Sequence, residues 1–385
     1  MEKPISSLDI IAGEYPPRAG GVSDYTQEVA RGLAMKGELI RVWQEGIETE
    51  PITDSAGVIQ HRYAGDFTGA GLHRLGHELD RIPGQRRLLI QYVPHAFGCR
   101  GMNTQFANWV RTRAETCKDD VRIMFHEVAY PWVKWPLKHN LIAAVNRWMA
   151  YTMIRNASKL YVSTTAWTDH LVRLGARRDL IELLAIPSNI PTSDDNDRIR
   201  QVRSSLLQPG IEFVIGHFGT YGRWVTQSLR PILEKLLQQQ PNVHVLLLGG
   251  GSLEFRADLI NEHPSLAARV TATGRIGSVD VASHIRACDV MLQPFPDGAN
   301  TRRTSLMACL INSVATVSNI GHNTEPIWKE TGAVALAPSI TPDLVVEHIA
   351  TLLEREGLRS ELAKYGNDAY NLHFQLSRTI EKLMA

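Results

Sequence analysis

The sequence has few cysteines, no long apolar run and almost no net charge, and each of these absences excludes a class of protein. The four cysteines, Cys99, Cys117, Cys288 and Cys309, include no CxxC pair, so buried thiols in a reducing compartment are favoured over disulfides or a zinc site. No apolar run approaches the roughly 18–20 residues that a membrane span needs. Residues 1–10 also lack the apolar core of a signal peptide. We therefore expect a cytoplasmic protein that is soluble or peripheral at the inner face of a membrane.

The charge balance and the average composition narrow the choice further. Lys and Arg number 41 against 40 Asp and Glu, whereas proteins that bind nucleic acid usually carry a marked basic excess, so no nucleic acid partner is expected. With 44% hydrophobic and 21% charged residues, the composition is that of a globular protein. A chain of 385 residues exceeds the roughly 250–300 residues at which single cores stop growing, which predicts two domains.

Short apolar runs alternate with longer amphipathic segments along the whole chain, which is the pattern of βαβ units on a parallel sheet. The pattern predicts an α/β fold with two Rossmann-like, doubly wound parallel-sheet domains. The strands predicted for the first domain are 8–12, 39–43, 88–93, 121–126, 160–163 and 181–184. The strands predicted for the second domain are 213–218, 243–249, 270–273, 290–292, 314–318 and 333–337.

The domain boundary is predicted where the apolar pattern stops and a proline is followed by the acidic run 194–197. The predicted segments are 1–187 for the first domain, 188–210 for a linker with a short helix, 211–365 for the second domain and 366–385 for a C-terminal helix. That helix carries Leu376, Ile380 and Leu383 at helical spacing. We therefore expect it to pack back on the first domain.

Glycines stand between a strand and a helix at two places. Gly20 and Gly21 precede the first helix, and Gly219 and Gly222 precede a helix that starts near Arg223. Glycine lets a backbone approach a ligand closely, and a helix amino end offers unpaired N–H groups to an anion. Both loops therefore predict phosphate contacts, with the arginine adding a guanidinium suited to a diphosphate. Ordinary strand-to-helix turns stay open as the alternative, because neither GxGxxG nor GxxxxGK[ST] is present.

Polar side chains also follow predicted strands at the same edge. His126 ends the strand 121–126, which fits either a functional or a satisfied structural histidine. Asp297, Arg302, Arg303 and Ser305 lie on a loop and a first helical turn after another strand. The carboxylate suits sugar hydroxyls, the arginines suit phosphate or carboxylate, and the serine suits a ribose. A surface cluster of ion pairs is the alternative for this loop.

Two other features resemble functional motifs. Asp195 and Asp197 have the DxD spacing of metal-dependent sugar transferases, but they fall in the predicted linker, where Ser193 or Asp194 reads better as a helix cap. The predicted helix 137–155 combines apolar and basic residues and could lie on a membrane. An interlayer helix of an α/β domain is favoured over that interpretation.

Taken together, these residues resemble the retaining family-four glycosyltransferases of GT-B fold, and the likeness covers most of the chain. The segments that carry it are Gly20-Gly21, His126, Gly274-Arg275-Ile276, Ala287-Cys288-Asp289-Val290, Met307-Ala308-Cys309 and Gly321-His322-Asn323-Thr324-Glu325. Their order and spacing across two domains are fairly specific. The resemblance implies a nucleotide-sugar donor held by the second domain, an acceptor held mainly by the first, and a cleft between them.

The resemblance also implies site residues, and it implies neither a metal nor a cofactor. The implied catalytic residues are His126, Asp297 and Arg223, and the implied donor-binding residues are Gly20, Gly21, Gly219, Arg275, Ile276, Gly298, Ala299, Asn300, Arg302, Arg303, Ser305 and Glu325. In this family the backbone at Arg275 and Ile276 would receive the base. His126 would contact the donor sugar, and the loop at Gly20 and Gly21 would meet the diphosphate. Amides, helix ends and cationic side chains would stabilise the departing diphosphate.

The sequence departs from the family at two points. The family's pair of glutamates separated by seven residues aligns with Asp297 and Ser305, so a neutral hydroxyl replaces the carboxylate that contacts ribose. Of the family's cationic clamp, Arg223 falls near the lysine position, whereas Phe218 occupies the arginine position. We therefore hypothesise that Arg302 or the arginine that follows it restores the missing charge or reads an acidic donor sugar.

These observations predict a retaining glycosyltransferase that moves a sugar from a nucleoside-diphosphate sugar to an unidentified acceptor, which is a sugar, a lipid-linked molecule or a small molecule. Uridine diphosphate (UDP) is the carrier favoured by family frequency. Two alternatives stay open. One is a binding or scaffold protein that has kept the fold and lost turnover, because the glutamate pair is altered. The other is a GT-B epimerase or phosphorylase.

Overall fold

A computed structural model describes residues 7–18, 20–47, 49–136 and 138–385 of the chain. The chain divides into two compact units. Unit 1 runs to Ala185 and also takes in Leu376–Ala385, and unit 2 is Ile186–Gln375. Within the described residues, no helix combines the length and the apolar character needed to cross a bilayer.

Among the described residues, unit 1 forms one eight-stranded sheet. Its strands are β1 Ser7–Ala12, β2 Leu39–Gly46, β3 Thr49–Thr53, β4 Ile59–Ala64, β5 Arg87–Tyr92, β6 Asp120–Phe125, β7 Lys159–Val162 and β8 Ile181–Leu183. They lie in the order β3-β4-β2-β1-β5-β6-β7-β8, and all neighbours are parallel except β3 and β4. The strands β2, β3 and β4 lie on one side of β1, and β5 to β8 follow on its other side. The strand order therefore reverses between β1 and β5.

The described part of unit 2 forms a six-stranded sheet. Its strands are β9 Phe213–Phe218, β10 Val243–Leu248, β11 Val270–Ala272, β12 Val290–Leu292, β13 Thr316–Asn319 and β14 Ala335–Ala337. They lie in the order β11-β10-β9-β12-β13-β14, and every pair of neighbours is parallel. This is the order 3-2-1-4-5-6 of dinucleotide-binding sheets, which reverses between the first and the fourth strand.

Helices cover both faces of each sheet, as parallel strands require. The helices are α1 Gly21–Met35, α2 Gly69–Asp80, α3 Thr104–Glu115, α4 Lys138–Ile154, α5 Thr165–Arg173, α6 Asn196–Leu206, α7 Arg223–Gln239, α8 Ser252–Glu262, α9 Ser278–Arg286, α10 Thr304–Ile311, α11 Ile327–Thr331, α12 Pro342–Glu354, α13 Glu356–Ala369 and α14 Leu376–Met384. In unit 1 the side chains of α2, α3 and α4 pack on one face of the sheet around Ile90 and Ile123. In unit 2, α7 and α12 cover one face around Val245, and α6, α9 and α10 cover the other around Leu246.

The last helix, α14, belongs to unit 1. Its residues Thr379, Ile380 and Leu383 are buried, and Ile380 lies against Gly32 of α1. The Lys382 ammonium donates to the backbone oxygen of Leu183 at 2.8 Å. Unit 1 is therefore built from two stretches of chain with the whole of unit 2 between them.

Two elements differ from the predictions made from sequence. No strand was predicted between residues 43 and 88, and this is wrong, because β3 and β4 lie there. The residues of β3 are all exposed and include Pro51, and β4 mixes polar with apolar residues as IQHRYA, so neither gives the apolar run of a central strand. Both lie at one edge of the sheet, outside β2.

The segment 188–210, predicted as a linker, lies in unit 2 and contains α6. The cap of α6 is Asp195, whose Oδ1 accepts a hydrogen bond of 2.9 Å from the backbone of Arg198. The prediction of Ser193 or Asp194 as the cap is therefore wrong by one or two residues. Asp197 lies in the first turn and forms an ion pair with Arg200, so the DxD spacing is used to start a helix.

Candidate functional site

In unit 2 the two loops that follow β9 and β12 lie at the reversal of strand order. Ligands of parallel α/β sheets bind at the carboxyl ends of the strands where the order reverses. Gln293, directly after β12, is buried, and its Nε2 donates to the backbone oxygen of Phe218 at the end of β9 over 3.1 Å. The Ser318 hydroxyl donates to the backbone oxygen of Gln293 at 2.7 Å. Gln293 therefore joins three neighbouring strand ends at the expected ligand edge.

The loop after β9 offers an open helix start and a cation. The loop is held by hydrogen bonds from Gly219 N to Leu248 O at 3.1 Å and from Tyr221 N to Gly250 O at 3.2 Å. Gly222 caps α7 without any side chain that accepts from its first turn, so the first N–H groups point outward. Arg223 begins the helix and is exposed, and its guanidinium makes no hydrogen bond or ion pair with the described residues. This end of α7 is suited to binding an anion.

The loop after β12 carries a carboxylate that is already occupied. Oδ1 of Asp297 accepts from the Arg303 guanidinium, and Oδ2 accepts from Asn323 Nδ2 at 3.3 Å. The Arg303 guanidinium also lies 4.6 Å from the centre of the Phe295 ring. Burial lowers the pKa of Arg303, and Arg302 lowers it further, whereas Asp297 raises it. Asp297 and Arg303 thus neutralise each other, and Arg302 is the other arginine of this loop.

Glu325 holds the loop after β12 in place through hydrogen bonds to Thr301. Its side chain is 2% exposed, and its carboxylate accepts from the backbone N–H of Thr301 and from the Thr301 hydroxyl, the latter at 3.2 Å. Trp328 Nε1 donates to the backbone oxygen of Ala299 at 3.0 Å. Glu325 and Trp328 therefore hold the backbone from Ala299 to Thr301, including Asn300.

Two glycines allow this loop to touch the loop after β13. Gly298 has a φ of +93°, and a Cβ there would lie 2.1 Å from Thr324 Oγ1 and 2.6 Å from Gly321 N. A Cβ on Gly321 would in turn lie 2.5 Å from the carbonyl carbon of Asp297. Both positions therefore require glycine, and the contact fixes where Asp297 stands.

Ser305, Arg275 and Ile276 stand at the same sheet edge in different surroundings. The Ser305 hydroxyl, which was predicted to face a ribose, donates to Gln293 Oε1 at 3.1 Å. Arg275 and Ile276 follow β11, two strands away from the reversal. Arg275 is exposed, whereas Ile276 is partly buried against the unit 2 core. The residues predicted to receive the base are thus displaced sideways from those predicted to meet the phosphates.

In unit 1 the strand order reverses between β1 and β5, and the predicted glycine loop follows β1. Gly20 caps α1, again with no side chain that accepts from the first turn. A Cβ built on Gly21 meets no atom within 4 Å, whereas one on Gly20 would lie 2.8 Å from a carboxylate oxygen of Glu14, so this helix start is open on the side of Gly21 only. The Ser23 hydroxyl donates to the backbone oxygen of Arg18 at 2.6 Å, which shapes the loop around the open helix end.

His126 lies close to the start of α1. It is 7% exposed, its Nε2 lies 2.8 Å from Gln91 Oε1, and its ring centre lies 5.0 Å from that of Tyr25 in α1. Gln91 pairs in register with Ala12 at the end of β1. The Gln91 Nε2 and Tyr25 hydroxyl are buried without a hydrogen-bond partner among the described residues. Two unsatisfied polar groups therefore flank His126 at the reversal.

Gln91 and Gln293 were not identified from the sequence. Gln91 is the penultimate residue of β5, RLLIQY, and Gln293 directly follows the apolar strand β12, VML. A buried polar side chain requires a partner or a ligand. That signal was available in the sequence, and it marks the reversal point in both units.

We expect acid to destabilise unit 2 through His217. This residue is the penultimate one of β9 and is buried, so desolvation lowers its pKa to about 3. Its Nδ1 lies 2.9 Å from the Tyr221 hydroxyl. In the unfolded chain its pKa returns to about 6.5, so the unfolded state binds the proton more readily and stability falls as the pH drops from about 6.5 towards 3. Between about pH 7 and pH 5 the free energy of unfolding should fall by about 2 kcal/mol from this group.

Urea titrations at the two pH values test this. The variant His217→Gln, which cannot take up the proton, should show a smaller decrease. Burial lowers the pKa of His244 to about 4, so this residue adds to the loss of stability in both proteins. An equal decrease in the two proteins would contradict the assignment to His217.

The sequence of unit 2 matches a known family. Residues 212–355 match the family model described as glycosyl transferases group 1. The match begins just before β9 and ends just after α12, so it contains all six strands and both loops at the reversal. A search of curated protein sequences finds no match.

Solved structures resemble the chain over nearly its whole length. Sucrose-phosphate synthase from Thermosynechococcus elongatus has a TM-score of 0.73 at 14% identity, covering 98% of this chain and 97% of that chain. The Anabaena protein HepE in complex with UDP and glucose has a TM-score of 0.70 at 13% identity, covering 98% of both chains. WaaG, a glycosyltransferase involved in lipopolysaccharide biosynthesis, has a TM-score of 0.66 at 13% identity, again covering 98% of both. The chain therefore has the GT-B fold, and the predicted fold class is confirmed.

Proposed function

We propose that the chain is a metal-independent, retaining glycosyltransferase that transfers a sugar from a nucleoside-diphosphate sugar to an acceptor. The observation that carries the proposal is the position of the anion-binding features. The open start of α7 and the exposed Arg223 lie at the reversal of strand order in unit 2. The same part of the chain matches the glycosyl transferases group 1.

UDP is the proposed carrier. The Anabaena structure holds UDP and glucose, and another structure of the same protein holds UDP-glucose. On this chain the diphosphate is proposed to contact Gly219, the α7 start and Arg223, with Arg302 as a further cation. The base is proposed to contact the backbone of Arg275 and Ile276.

The leaving diphosphate is proposed to be stabilised by protein groups alone. A helix amino end and a guanidinium place positive charge where negative charge develops, which lowers the barrier without a metal. The DxD spacing that suggests a metal site serves another purpose here, because Asp195 caps α6 and Asp197 pairs with Arg200. Gly20, Gly21 and His126 are proposed as the phosphate and sugar contacts of unit 1.

Retention is proposed to occur by attack on the face that the diphosphate leaves, with a donor phosphate oxygen accepting the acceptor's proton. This route requires no carboxylate nucleophile. The two carboxylates of the unit 2 edge are engaged by the protein, Asp297 with Arg303 and Glu325 with Thr301. Asp297 is proposed to use its remaining acceptor capacity for a hydroxyl of the donor sugar.

Thermal unfolding in the presence of nucleotides tests the donor site. UDP at about 100 times its Kd should stabilise the protein by about 2.7 kcal/mol, whereas ADP and GDP should stabilise it less. Chelator should leave the effect unchanged. Slow release of UDP from a UDP-sugar without acceptor should accompany binding, because water can replace the acceptor. If no nucleoside diphosphate raises the unfolding temperature, the proposed donor site is wrong.

A binding protein without turnover is the second candidate. It is favoured by Ser305, which replaces a glutamate of the family and donates its hydroxyl to Gln293. A neutral hydroxyl engaged in this way binds the ribose more weakly than a carboxylate would. Stabilisation by UDP-sugars without any release of UDP would support this candidate. Turnover that depends on inorganic phosphate would indicate a phosphorylase instead, and a changed sugar without released nucleotide would indicate an epimerase.

A further inference from the structure

Unit 1 exposes a group of large apolar side chains on one short stretch of chain. Seventeen large hydrophobic side chains are exposed among the described residues, and six of them fall between residues 130 and 151. These six are Tyr130 at 38% exposure, Trp132 at 57%, Trp135 at 81%, Leu141 at 63%, Trp148 at 44% and Tyr151 at 45%. We call them the aromatic face. Singly exposed apolar residues are ordinary, but a contiguous group marks a binding surface.

The exposure follows from the sequence of α4, which is apolar on more than one side. Ala143, Met149 and Met153 are buried in the core of unit 1. With those residues facing inward, helical spacing turns Leu141, Trp148 and Tyr151 away from the core. The interlayer helix that the sequence favoured is therefore present, and it also carries an outward apolar side.

The loop before α4 is fixed to the helix. The Asn140 side chain donates to Val133 O at 3.0 Å and accepts from Val133 N at 2.9 Å. The Arg147 guanidinium donates to Tyr130 O at 2.8 Å and lies 4.5 Å from the Trp132 ring centre. These bonds hold the loop with Trp132 and Trp135 exposed.

The stretch of sequence that contains the aromatic face carries charge of one sign. From residue 128 to residue 168 the sequence contains no Asp or Glu, although the whole chain has 40 among 385 residues. The same 41 residues contain Lys134, Lys138, Arg147, Arg155 and Lys159, of which Lys159 forms an ion pair of 3.1 Å with Glu182. Arg155 is exposed, with its guanidinium 5.7 Å from the Tyr151 ring centre. The chain as a whole is balanced, so this segregation of charge suits a partner that is both apolar and negative.

We propose that the aromatic face binds the surface of a membrane that contains anionic lipids. Tryptophan and tyrosine settle at the level of the lipid headgroups, with their rings towards the acyl chains. Lysine and arginine are attracted to the negative surface potential of such a membrane. A second copy of the chain suits the face poorly, because a two-fold contact would set the same cations against each other. This proposal concerns a surface of unit 1 and does not depend on the proposed transferase activity.

Sedimentation of the full chain with lipid vesicles tests the proposal. The protein should bind vesicles that contain about 40% phosphatidylglycerol and should not bind vesicles of phosphatidylcholine alone. Binding should weaken as salt is raised from about 0.1 M to 0.5 M, because salt screens the charges. Brominated lipids should quench the tryptophan fluorescence of the unaltered protein, which places its rings in the bilayer without any substitution.

Variants assign the binding to these residues. The double variant Trp132→Ser, Trp135→Ser should lower the fraction bound at least about tenfold, and Lys134→Gln with Arg155→Gln should lower it several-fold and flatten its salt dependence. Ile47→Ser is the matched control, because Ile47 is 87% exposed outside the face. All variants should keep the unfolding midpoint in urea and the stabilisation by UDP.

Three results would overturn the proposal. The first is an unaltered protein that binds neither kind of vesicle. The second is a tryptophan double variant that binds as tightly as the Ile47→Ser control. The third is self-association that the tryptophan variant abolishes while vesicle binding stays absent, which would assign the face to a second copy of the chain.

Discussion

Replacing Arg223 by alanine is expected to weaken UDP binding at least about tenfold, because a hydrogen bond between charged groups is among the strongest that a ligand makes in water. The guanidinium is exposed at the first residue of α7, at the reversal of strand order in unit 2. It has no partner in the part of the chain that the structure describes, so the substitution removes no contact of the fold. Calorimetric titration with UDP measures the loss directly.

Two comparisons separate this effect from a general loss of charge. Arg355 is also exposed in unit 2, and its side chain makes no hydrogen bond or ion pair with the residues that the structure describes. It follows α12, whose end lies at the opposite edge of the sheet, so Arg355→Ala should leave UDP binding unchanged. Arg223→Lys should recover only part of the affinity, because lysine keeps the positive charge but lacks the fork of donors that arginine has. Equal affinities of the two alanine variants would exclude Arg223 from the donor site.

Replacing Gly298 by alanine is expected to destabilise the protein by about 2–5 kcal/mol, the sum of a left-handed backbone and an overpacked contact. The new methyl group would lie 2.1 Å from Thr324 Oγ1 and 2.6 Å from the backbone nitrogen of Gly321. The loop would have to move, and Asp297 would move with it. We therefore expect UDP-sugar turnover to fall more than UDP affinity, since Arg223 lies on another loop. Urea titration and steady-state kinetics measure the two effects.

Gly357→Ala is the matched control for this substitution. A Cβ at Gly357, in the first turn of α13, meets no atom within 4 Å. Alanine there should be neutral or should stabilise by up to about 1 kcal/mol, because it reduces the freedom of the unfolded chain. A Gly298→Ala protein as stable and active as this control would show that the contact with the 321–324 loop does not matter.

The sequence predicted those features that depend on a single segment. Apolar runs such as VHVLLL in β10 mark a buried parallel strand without further information. The starts of α1 and α7 could be located because a glycine between a strand and a helix acts locally. The strands β3 and β4 were missed because β3 is exposed along its whole length and β4 mixes polar with apolar residues, so their place at the sheet edge comes from pairing and not from composition.

The features of the candidate site that could not be predicted from the sequence depend on contacts between distant segments. Asp297 and Arg303 form an ion pair, so the predicted contact of an arginine of this loop with the donor now depends on Arg302. Glu325 binds Thr301, which lies 24 positions earlier in the chain. Gln91 stands out in the sequence as a polar residue near a strand end, but its partner His126 lies 35 positions later. No local pattern encodes such partners.

The position of α14 has a consequence for biosynthesis. Unit 1 begins to fold while unit 2 is still being translated, since domains generally fold as units and the N-terminal one first. The helix that covers Gly32 is made only after the whole of unit 2. Until then, the side of α1 that later receives Ile380 is uncovered, and the nascent first unit exposes an apolar surface to chaperones. A chain that stops before Leu376 would keep that surface exposed permanently, and we expect it to aggregate although every residue of unit 2 is present.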